Sequence, residues 1–519
     1  MAEGAAGKAG RAAGDRMIND ATYGVFIALF IIFIAIGFLG KRFRKGDLSK
    51  IEEWSLGGRN MGTILVWFLV GADLFTAYTF IAVPSSMFKI GALYYFAVPY
   101  VSITFAIAML TMPRLWRYSK KRGYVTAADF VKDKFNSRSL AMLIAVTGIV
   151  AELPYIALQV VGIQAVLTSM LLGTADIGLI SSVAIVLAFI ALAGFTFVAG
   201  LRGVTLTAIF KDALIFITVA AVIIGVTAAI GGFGHAFSSA PASFVTLPHK
   251  FSSAYMSLFL MSALALYLYP HAINGSLSAK DDIKLRRSQS LLPIYAIGLA
   301  FIVLFGVLIY GVPSALSLIK SLPASSSGVL VVPTLIEMTM PGWFVGFAFL
   351  GIFIGGLVPA ALMAIAIANL LTRNIIKEFK PKLGAHLETR TAKWIAVLFE
   401  FIALGFVFIV PATYAIQLQL LGGIIILQTL PTVFIALFTN KLNKYGLGVG
   451  WLAGIVSGIW LVEEANHFGL LSTSLMSSPF GLLFIGATAT ALNLVIVLVW
   501  SVVSPGKASK EFLAATKGI

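Results

Sequence analysis

The sequence of 519 residues contains no cysteine. Disulfide bonds, thiolate metal ligands and a cysteine nucleophile are therefore excluded. Charged residues are scarce too: they make up 11% of the chain, whereas 59% of the residues are apolar. In a soluble protein about a quarter of the residues are charged, so this chain cannot cover a water-facing surface and is not a soluble enzyme. Its mean hydropathy of +0.99 predicts an integral membrane protein instead.

Apolar segments long enough to cross a bilayer as helices recur along the whole chain. Each is apolar throughout, whereas the strands of a membrane barrel alternate apolar and polar residues. The segments are residues 22–40, 60–85, 92–113, 138–171, 176–199, 204–231, 253–275, 291–314, 341–371, 393–411, 414–438, 446–464 and 479–503. The predicted fold class is an all-α integral membrane protein with about 13 transmembrane helices.

The basic residues indicate how these helices are oriented. The formal net charge is +16, and thirty of the 37 lysines and arginines follow every second span. An excess of Lys and Arg marks cytoplasmic loops, which predicts the N-terminus outside and the C-terminus inside the cell. The charge thus reports orientation and gives no support to nucleic-acid binding. On the cytoplasmic side, residues 126–135 (TAADFVKDKF) are predicted to form a short amphipathic helix.

Two of the spans combine helix-breaking residues with polar ones. The second span contains Gly71 and Pro84, and the seventh contains Pro270 and Gly275. The polar residues between these breakers are Asp73, Thr76, Tyr78 and Thr79 in the second span and His271 and Asn274 in the seventh. Two interrupted spans, five apart and opposed in direction, are typical of an inverted five-plus-five repeat. Two ordinary kinked helices are the alternative, since Pro and Gly are common in membrane spans.

Several short stretches, taken in order, resemble the sodium:solute symporter family, whose fold is the LeuT-type inverted repeat. These stretches are Leu56-Gly57-Gly58-Arg59-Asn60, residues 72–84 (ADLFTAYTFIAVP), residues 124–135, Tyr155-Ile-Ala-Leu-Gln159, and Gly422-Gly423 with residues 428–431. The likeness covers most of the chain, from about residue 50 to residue 440. Two further stretches are similar to the prokaryotic monocarboxylate permease branch, namely residues 200–203 (GLRG) with 210–212 (FKD), and residues 268–271 (LYPH) with 274–278 (NGSLS).

The resemblance implies a division of the chain around two repeats. The expected parts are a disordered extracellular tail (1–21), an extra N-terminal helix (22–41), the first repeat (60–231), the second repeat (253–438), two C-terminal helices (446–503) and a cytoplasmic tail (504–519). It also implies cation-coupled import of small monocarboxylates such as lactate, pyruvate or acetate, with alanine as a further candidate, by alternating access across the plasma membrane. We expect a monomeric transport unit in the lipid bilayer, whose partners are the substrate and the coupling cation, and which needs no cofactor.

The residues that would bind sodium depart from the family's pattern. The resemblance implies that sodium-coupled members hold the ion with three backbone carbonyls and two hydroxyl groups. The carbonyl positions align with Ala72, Phe75 and Ala361, and the hydroxyl positions align with Ala364 and Ile365. A small hard cation needs several oxygen ligands, and neither of these last two side chains carries one. An intact sodium site is therefore not expected, and H⁺ is favoured over Na⁺ as the coupling ion.

A lysine offers a substitute for the missing ion. Lys211 lies inside the sixth span and is followed by Asp212. Ionisable groups within a membrane are candidates for function, and a buried ammonium releases its proton more readily than one in water. We therefore predict that Lys211 carries the coupling proton, with Asp212 and Asp73 as further coupling groups. In the alternative interpretation, Lys211 reaches water at the cytoplasmic end of its helix and pairs with Asp212.

A carboxylate substrate in a largely apolar cavity needs hydrogen-bond donors and the positive ends of half-helices. The predicted substrate-binding residues are Thr76, Tyr78, Thr79, Tyr269, His271 and Asn274 at the two breaks, with Gln159 and Gln428 closing the pocket. A single buried histidine is as often structural as functional, and the tyrosines also fit simple packing. Glu152 is a candidate for pairing within the bundle or for accepting protons, and Glu400 is interpreted as structural.

Other functions stay open at this point. A membrane enzyme would need a catalytic cluster, and the sequence shows no metal-ligand spacing, nucleophile arrangement or cofactor motif. A Na⁺-coupled symporter of an amino acid or a sugar fits the same fold. An uncoupled, channel-like or facilitative protein fits it too, because the ion ligands are missing.

Overall fold

The computed structural model describes residues 18–518, with the exception of residues 45, 175, 407, 409–413 and 470. Most of the predicted tail 1–21 and the end of the predicted span 393–411 therefore lie outside the described residues. The described chain is helical almost throughout, and its one pair of strands forms a hairpin near the C-terminus.

Nine α-helices occupy the described part of the chain before residue 230. They are α1 (Asp20–Leu39), α2 (Ile51–Leu56), α3 (Thr63–Gly71), α4 (Val83–Ile90), α5 (Ala97–Arg122), α6 (Ala127–Phe135), α7 (Arg138–Leu171), α8 (Ile177–Ala199) and α9 (Leu201–Ala229). The predicted amphipathic segment is α6, and its N-cap Thr126 accepts a hydrogen bond from the Asp129 backbone.

The helices of the described chain after residue 230 are more often short. They are α10 (Phe233–Ser239), α11 (Ala242–Val245), α12 (Ser252–Ala265), α13 (Pro270–Leu277), α14 (Asp282–Leu291), α15 (Pro293–Leu308), α16 (Pro313–Ser321), α17 (Ala324–Ser327), α18 (Val331–Thr339), α19 (Gly342–Asn369), α20 (Lys377–Phe379), α21 (Ala385–Phe406), α22 (Ala415–Ile426), α23 (Leu430–Val433), α24 (Lys444–Ala465), α25 (Ile485–Val503) and α26 (Lys510–Thr516). Between α24 and α25, strands β1 (Leu475–Ser478) and β2 (Gly481–Phe484) pair antiparallel, with Leu475 opposite Phe484.

Eleven helical segments among the described residues are long and apolar enough to cross a membrane. They are Asp20–Arg42, Ala92–Arg122, Arg138–Leu171, Ile177–Ala199, Leu201–Ala229, Ala242–Leu268, Asp282–Gly311, Gly342–Phe379, Ala415–Leu437, Lys444–Ala465 and Ile485–Val503. The predicted spans 60–85 and 393–411 are not among them, so the count of thirteen is not confirmed. The first is interrupted between α3 and α4. The second overlaps α21, which contains Glu388, Arg390, Lys393 and Glu400, and its end lies outside the described residues.

The first interruption follows the predicted helix breakers. Helix α3 ends at Gly71, and the chain resumes as a π-helical turn at residues 78–82 that continues into α4. Side chains bind the backbone groups that the break leaves free. The Thr76 backbone N–H donates to Thr79 Oγ1 at 2.8 Å, and Thr79 Oγ1 donates to the Thr76 carbonyl at 2.7 Å. An interrupted helix is stable inside a membrane when such contacts replace the missing helical ones.

The second interruption lies between α12 and α13. A 3₁₀ turn at residues 266–268 ends the first segment, and Tyr269 is extended, with φ −62° and ψ 137°. Helix α13 then begins at Pro270, a residue that suits the first position of a helix because that position needs no N–H donor. His271 therefore lies in the first turn of a buried half-helix.

Helix α19 (Gly342–Asn369) forms the centre of the bundle, and all of its residues are buried except the exposed Trp343 and the part-buried Phe347. It packs against α1, α7, α9 and α21. Close approach to α7 requires glycine at position 356, since a Cβ there would lie 2.6 Å from the Gln159 carbonyl oxygen. Both interrupted helices thus lie against a rigid, densely packed core.

One end of the bundle carries a network of basic residues, which we call the basic face: Arg59, Arg122, Lys134 and Arg373. Arg59 is buried and donates to the backbone carbonyls of Leu277 and Tyr124. Here the two interrupted helices are also joined through their backbones. Met61 lies opposite Ala279 in a parallel bridge, in which the Met61 N–H donates to the Ser278 carbonyl at 3.1 Å and the Lys280 N–H donates to the Met61 carbonyl at 2.9 Å.

The connection between α8 and α9 depends on Gly200. Its φ of 57° and ψ of −143° are open to glycine alone, and a Cβ would lie 2.2 Å from the Trp54 carbonyl oxygen. We expect Gly200→Ala to reduce the free energy of unfolding by about 1–3 kcal/mol and to lower the thermal midpoint of the detergent-purified protein. Gly24→Ala in α1 is the control, because its Cβ would meet no atom within 4 Å. Equal midpoints for the two variants would contradict this account.

Candidate functional site

Lys211 lies at the first break, although it belongs to α9. Its Nζ donates to the backbone carbonyls of Ala72 and Phe75, each at 2.7 Å, and pairs with Asp212 Oδ1 at 2.9 Å. Both side chains have no exposed surface. Lys211 therefore does not reach water. This excludes the alternative in which its side chain extends into water at the cytoplasmic end of the helix. We call Lys211 and Asp212 the lysine pair.

A tyrosine and a cluster of rings enclose the lysine pair. Tyr295 on α15 donates from its hydroxyl to Asp212 Oδ2 at 2.6 Å. The rings of Phe75 and Phe216 lie 4.8 Å and 5.1 Å from the ring of Tyr295, measured between centroids. A charge pair in such an apolar surrounding is screened little by solvent, so its interaction energy is far larger than on a surface. Sequence reasoning missed Tyr295, whose only signal was one hydroxyl near the start of an apolar span.

The remaining sodium-site positions lie on α19. Ala361, Ala364 and Ile365 are fully buried, and their side chains offer no oxygen ligand. Helix α19 packs against both α9 and the first break, since a Cβ at Gly355 would lie 3.6 Å from the Phe75 carbonyl oxygen. Two carbonyls that were aligned with the family's ion site are thus bound by the Lys211 ammonium.

A second cluster of buried ionisable groups joins the two breaks, and we call it the histidine triad: Asp73, Glu152 and His271. His271 Nε2 lies 2.8 Å from Asp73 Oδ2, and its Nδ1 lies 2.6 Å from Glu152 Oε1. The His271 backbone N–H also donates to Glu152 Oε1 at 3.1 Å. The three groups come from the first break, α7 and α13, and each is at least 96% buried, since Asp73 is 4% exposed and the others are not exposed.

Several polar atoms around the triad have no hydrogen-bond partner among the described residues. These atoms are Asp73 Oδ1, Glu152 Oε2, Gln159 Nε2 and the Tyr269 hydroxyl. Gln159 is oriented by its other amide atom, because Oε1 accepts from the Ala77 backbone N–H at 3.2 Å. Buried polar groups without partners are costly to a fold, and such groups facing one region are typical of a ligand site.

Aromatic rings cover the triad. The ring centroids of Tyr155 and Tyr269 each lie 5.5 Å from that of His271. Tyr78, at the first break, lies 6.2 Å from the ring of Tyr100 on α5. The region around the triad therefore combines a few polar atoms with apolar ring faces, which is the usual composition of a small-molecule site.

Two predicted residues make their contacts elsewhere. Asn274 Nδ2 donates to the Ser55 carbonyl at 2.8 Å, and its Oδ1 accepts from Asn369 Nδ2 at 3.0 Å. These bonds tie α13 to α2 and to the end of α19. Gln428 is bonded to α25, where Asn493 Nδ2 donates to its Oε1 at 3.0 Å. The structure brings Tyr269 and His271 together and bonds Gln159 to Ala77 at the first break, but it does not hydrogen-bond Asn274 or Gln428 to them.

A cavity lies beside the second break. It is lined by the start of α6, the first turns of α13, the end of α19 and the end of α22, with Thr126, Asn274, Asn369 and Thr429 as its polar residues. Pro270, next to His271, lines the same cavity, which therefore extends from the start of α6 to the second break.

Two interrupted helices within a bundle of apolar spans are the arrangement of the LeuT-type fold. A solved Na⁺-coupled sialic acid symporter, in its substrate-bound outward-open state, superposes with a TM-score of 0.72. The match covers 95% of this chain and 99% of that one at 16% sequence identity, and it therefore shows the fold alone. The predicted LeuT-type, all-α fold class is confirmed, with the small β1–β2 hairpin as an addition.

The sequence matches the Sodium:solute symporter family over residues 54–454, and the chain belongs to this family. A monocarboxylate transport permease protein of Rhizobium johnstonii is 40% identical over 500 residues, which are 95% of this chain and 98% of the relative. The uncharacterised symporter YodF of Bacillus subtilis is 32% identical over 449 residues, with 85% and 87% covered. The chain is thus a multi-pass membrane protein of a symporter family, and the resemblance to the monocarboxylate permease branch is confirmed.

The lysine pair leads to a prediction about stability. Removing one partner of a buried ion pair leaves an uncompensated charge, which costs about 3–5 kcal/mol. We therefore expect Lys211→Met to lower the thermal midpoint of the purified protein strongly. The double variant Lys211→Met/Asp212→Asn should regain part of the loss, because no lone carboxylate remains. A double variant less stable than the single one, measured in the same detergent, would contradict a paired Lys211 and Asp212.

Proposed function

We propose that this protein imports small monocarboxylates, of the lactate, pyruvate and acetate type, together with protons across the plasma membrane. The named Rhizobium johnstonii relative supports the substrate class, since the two chains match over nearly their whole lengths. The distribution of basic loops supports an N-terminus outside and a C-terminus inside. The transport unit is a single chain that contains both interrupted helices, with repeats at residues 60–231 and 253–438.

The observation that carries proton coupling is the contact of Lys211 Nζ with the carbonyls of Ala72 and Phe75, at 2.7 Å each. An ammonium and a sodium ion compete for the same carbonyl oxygens, and Ala364 and Ile365 add no hydroxyl ligand. The protonated lysine thus takes the place that a metal cation would have. When the proton leaves, the charge-assisted bonds to the break weaken, so protonation is linked to the conformation of the first interrupted helix.

The substrate is proposed to lie between the two breaks, next to the histidine triad. Gln159 Nε2 and the Tyr269 hydroxyl are buried donors without partners among the described residues, and His271 begins a half-helix whose positive end attracts an anion. Thr76, Tyr78 and Thr79 line the opposite break. Rocking of the interrupted helices against the rest of the bundle then exposes the substrate to each side in turn.

Uptake into proteoliposomes tests the coupling ion. An imposed pH gradient, acidic outside, should drive labelled lactate above equilibrium in the absence of sodium. A sodium gradient at equal pH should not. In Lys211→Met/Asp212→Asn, the accumulation driven by the pH gradient should fall, while exchange of labelled for unlabelled lactate continues, since exchange needs no net proton movement.

Labelled acetate, alanine, proline and glucose belong in the same assay. Sodium-dependent uptake with no response to pH would contradict proton coupling, and accumulation of proline or glucose but not of lactate or acetate would contradict the substrate class. Uptake that never exceeds equilibrium under either gradient would indicate a facilitator.

Gln159→Glu tests the position of the substrate carboxylate. The substitution keeps the size of the side chain but replaces the free amide donor with a carboxyl oxygen. We expect the apparent KM for lactate to rise at least tenfold, as is typical when a buried polar contact to the substrate is lost. Gln428→Glu is the matched control. Gln428 is hydrogen-bonded to α25, so this variant should leave the KM for lactate unchanged. An unchanged KM in Gln159→Glu would remove this residue from the substrate site.

A further inference from the structure

We infer that the histidine triad is a second proton-binding site, which takes up a proton at Glu152 when the substrate anion enters, so that each monocarboxylate crosses with two protons. The inference rests on the proposed monocarboxylate transport and adds to it a second proton and the group that binds it. Its structural basis is the pair of short contacts of the His271 ring with Glu152 Oε1 and Asp73 Oδ2.

The two contacts fix how many protons the triad already holds. Distances of 2.6 Å and 2.8 Å between ring nitrogens and carboxyl oxygens require one hydrogen in each contact. The two hydrogens belong either to an imidazolium between two carboxylates or to a neutral ring beside one carboxylic acid. Both arrangements carry the same net charge of −1. A further proton can bind only at the unpaired oxygens, Asp73 Oδ1 or Glu152 Oε2.

No neighbouring group balances this charge. The lysine pair is neutral as a unit, because Lys211 and Asp212 face each other. The other ionisable side chains close to the triad are phenols, which are uncharged at neutral pH: Tyr100 on α5, Tyr155 on α7, and Tyr267 and Tyr269 before α13. A carboxylate substrate that enters this region therefore meets a buried net negative charge.

A third proton removes the repulsion and adds a donor. Glu152 is the expected acceptor, since its side chain has no exposed surface, whereas that of Asp73 is 4% exposed. Protonation turns Glu152 Oε2 from an acceptor into an O–H donor. A substrate carboxylate can accept that hydrogen bond, so substrate and proton each favour the binding of the other.

A second proton makes the transport of each monocarboxylate electrogenic, and this charge movement can be measured. One proton per monocarboxylate anion moves no net charge, whereas two protons move one positive charge inward. In proteoliposomes without a pH gradient and without sodium, an inside-negative potential set by potassium and valinomycin should therefore drive labelled lactate accumulation. At the limit, accumulation should rise about tenfold for each 59 mV, the factor for one transported charge.

Variants assign the second proton to the triad. Glu152→Gln and Asp73→Asn each remove one carboxylate charge, so in either variant any lactate accumulation that a pH gradient still drives should no longer respond to potential. Glu400→Gln is the matched control, because Glu400 is a buried carboxyl on α21 outside the triad, and it should respond to potential like the unaltered protein. If one triad variant fails to insert or to exchange lactate, the other decides the assignment.

Two results would overturn the inference. One is pH-driven lactate uptake in the unaltered protein that does not respond to potential, since this leaves the proposed proton symport intact but limits it to one proton. The other is a full response to potential in Glu152→Gln and Asp73→Asn, which would place the second proton elsewhere. Failure of the proposed function itself would look different, because pH-driven uptake would then be absent altogether.

Discussion

The structure depends on the bond between one ammonium group and the backbone of an interrupted helix. Lys211 on α9 holds two carbonyls that the break at residues 72–77 leaves without helical partners. Inside a membrane such groups must be satisfied by the protein itself. The positive charge in turn requires Asp212, and Asp212 is held by Tyr295 from α15. One buried cation thereby connects three helices from both halves of the chain, and the shape of the first break follows from it.

The histidine triad lies one residue further along the same break. Ala72 offers its carbonyl to the lysine, whereas the side chain of Asp73 turns to His271. The two ionic clusters are therefore not independent, because any movement of the break changes both sets of contacts. The region thus contains three carboxyl groups, of which Asp212 faces Lys211 and the other two face His271.

The sequence predicted the parts of this site that act locally. Gly, Pro and polar residues mark both interrupted helices, and Lys211 and His271 were identified as charged or titratable groups within apolar spans. The pairing of Glu152 with His271 and of Tyr295 with Asp212 was not predicted, since the partners lie 119 and 83 residues apart in sequence. Gln428 was assigned to the pocket, yet the structure bonds it to α25, a helix outside the repeat. The count of thirteen spans is not confirmed, because a break interrupts one apolar run and charged residues lie in another.

The parallel bridge between Met61 and Ala279 has a mechanical consequence. The start of α3 and the end of α13 exchange two backbone hydrogen bonds there, and Arg59 adds a contact to the Leu277 carbonyl. Because these bonds join backbone groups, the two interrupted helices are fastened to each other at the basic face whatever side chains those positions carry. At the breaks, by contrast, they are joined through the side chains of Asp73 and His271. Loss of either side chain would therefore weaken the contact between the breaks and leave the backbone joint intact.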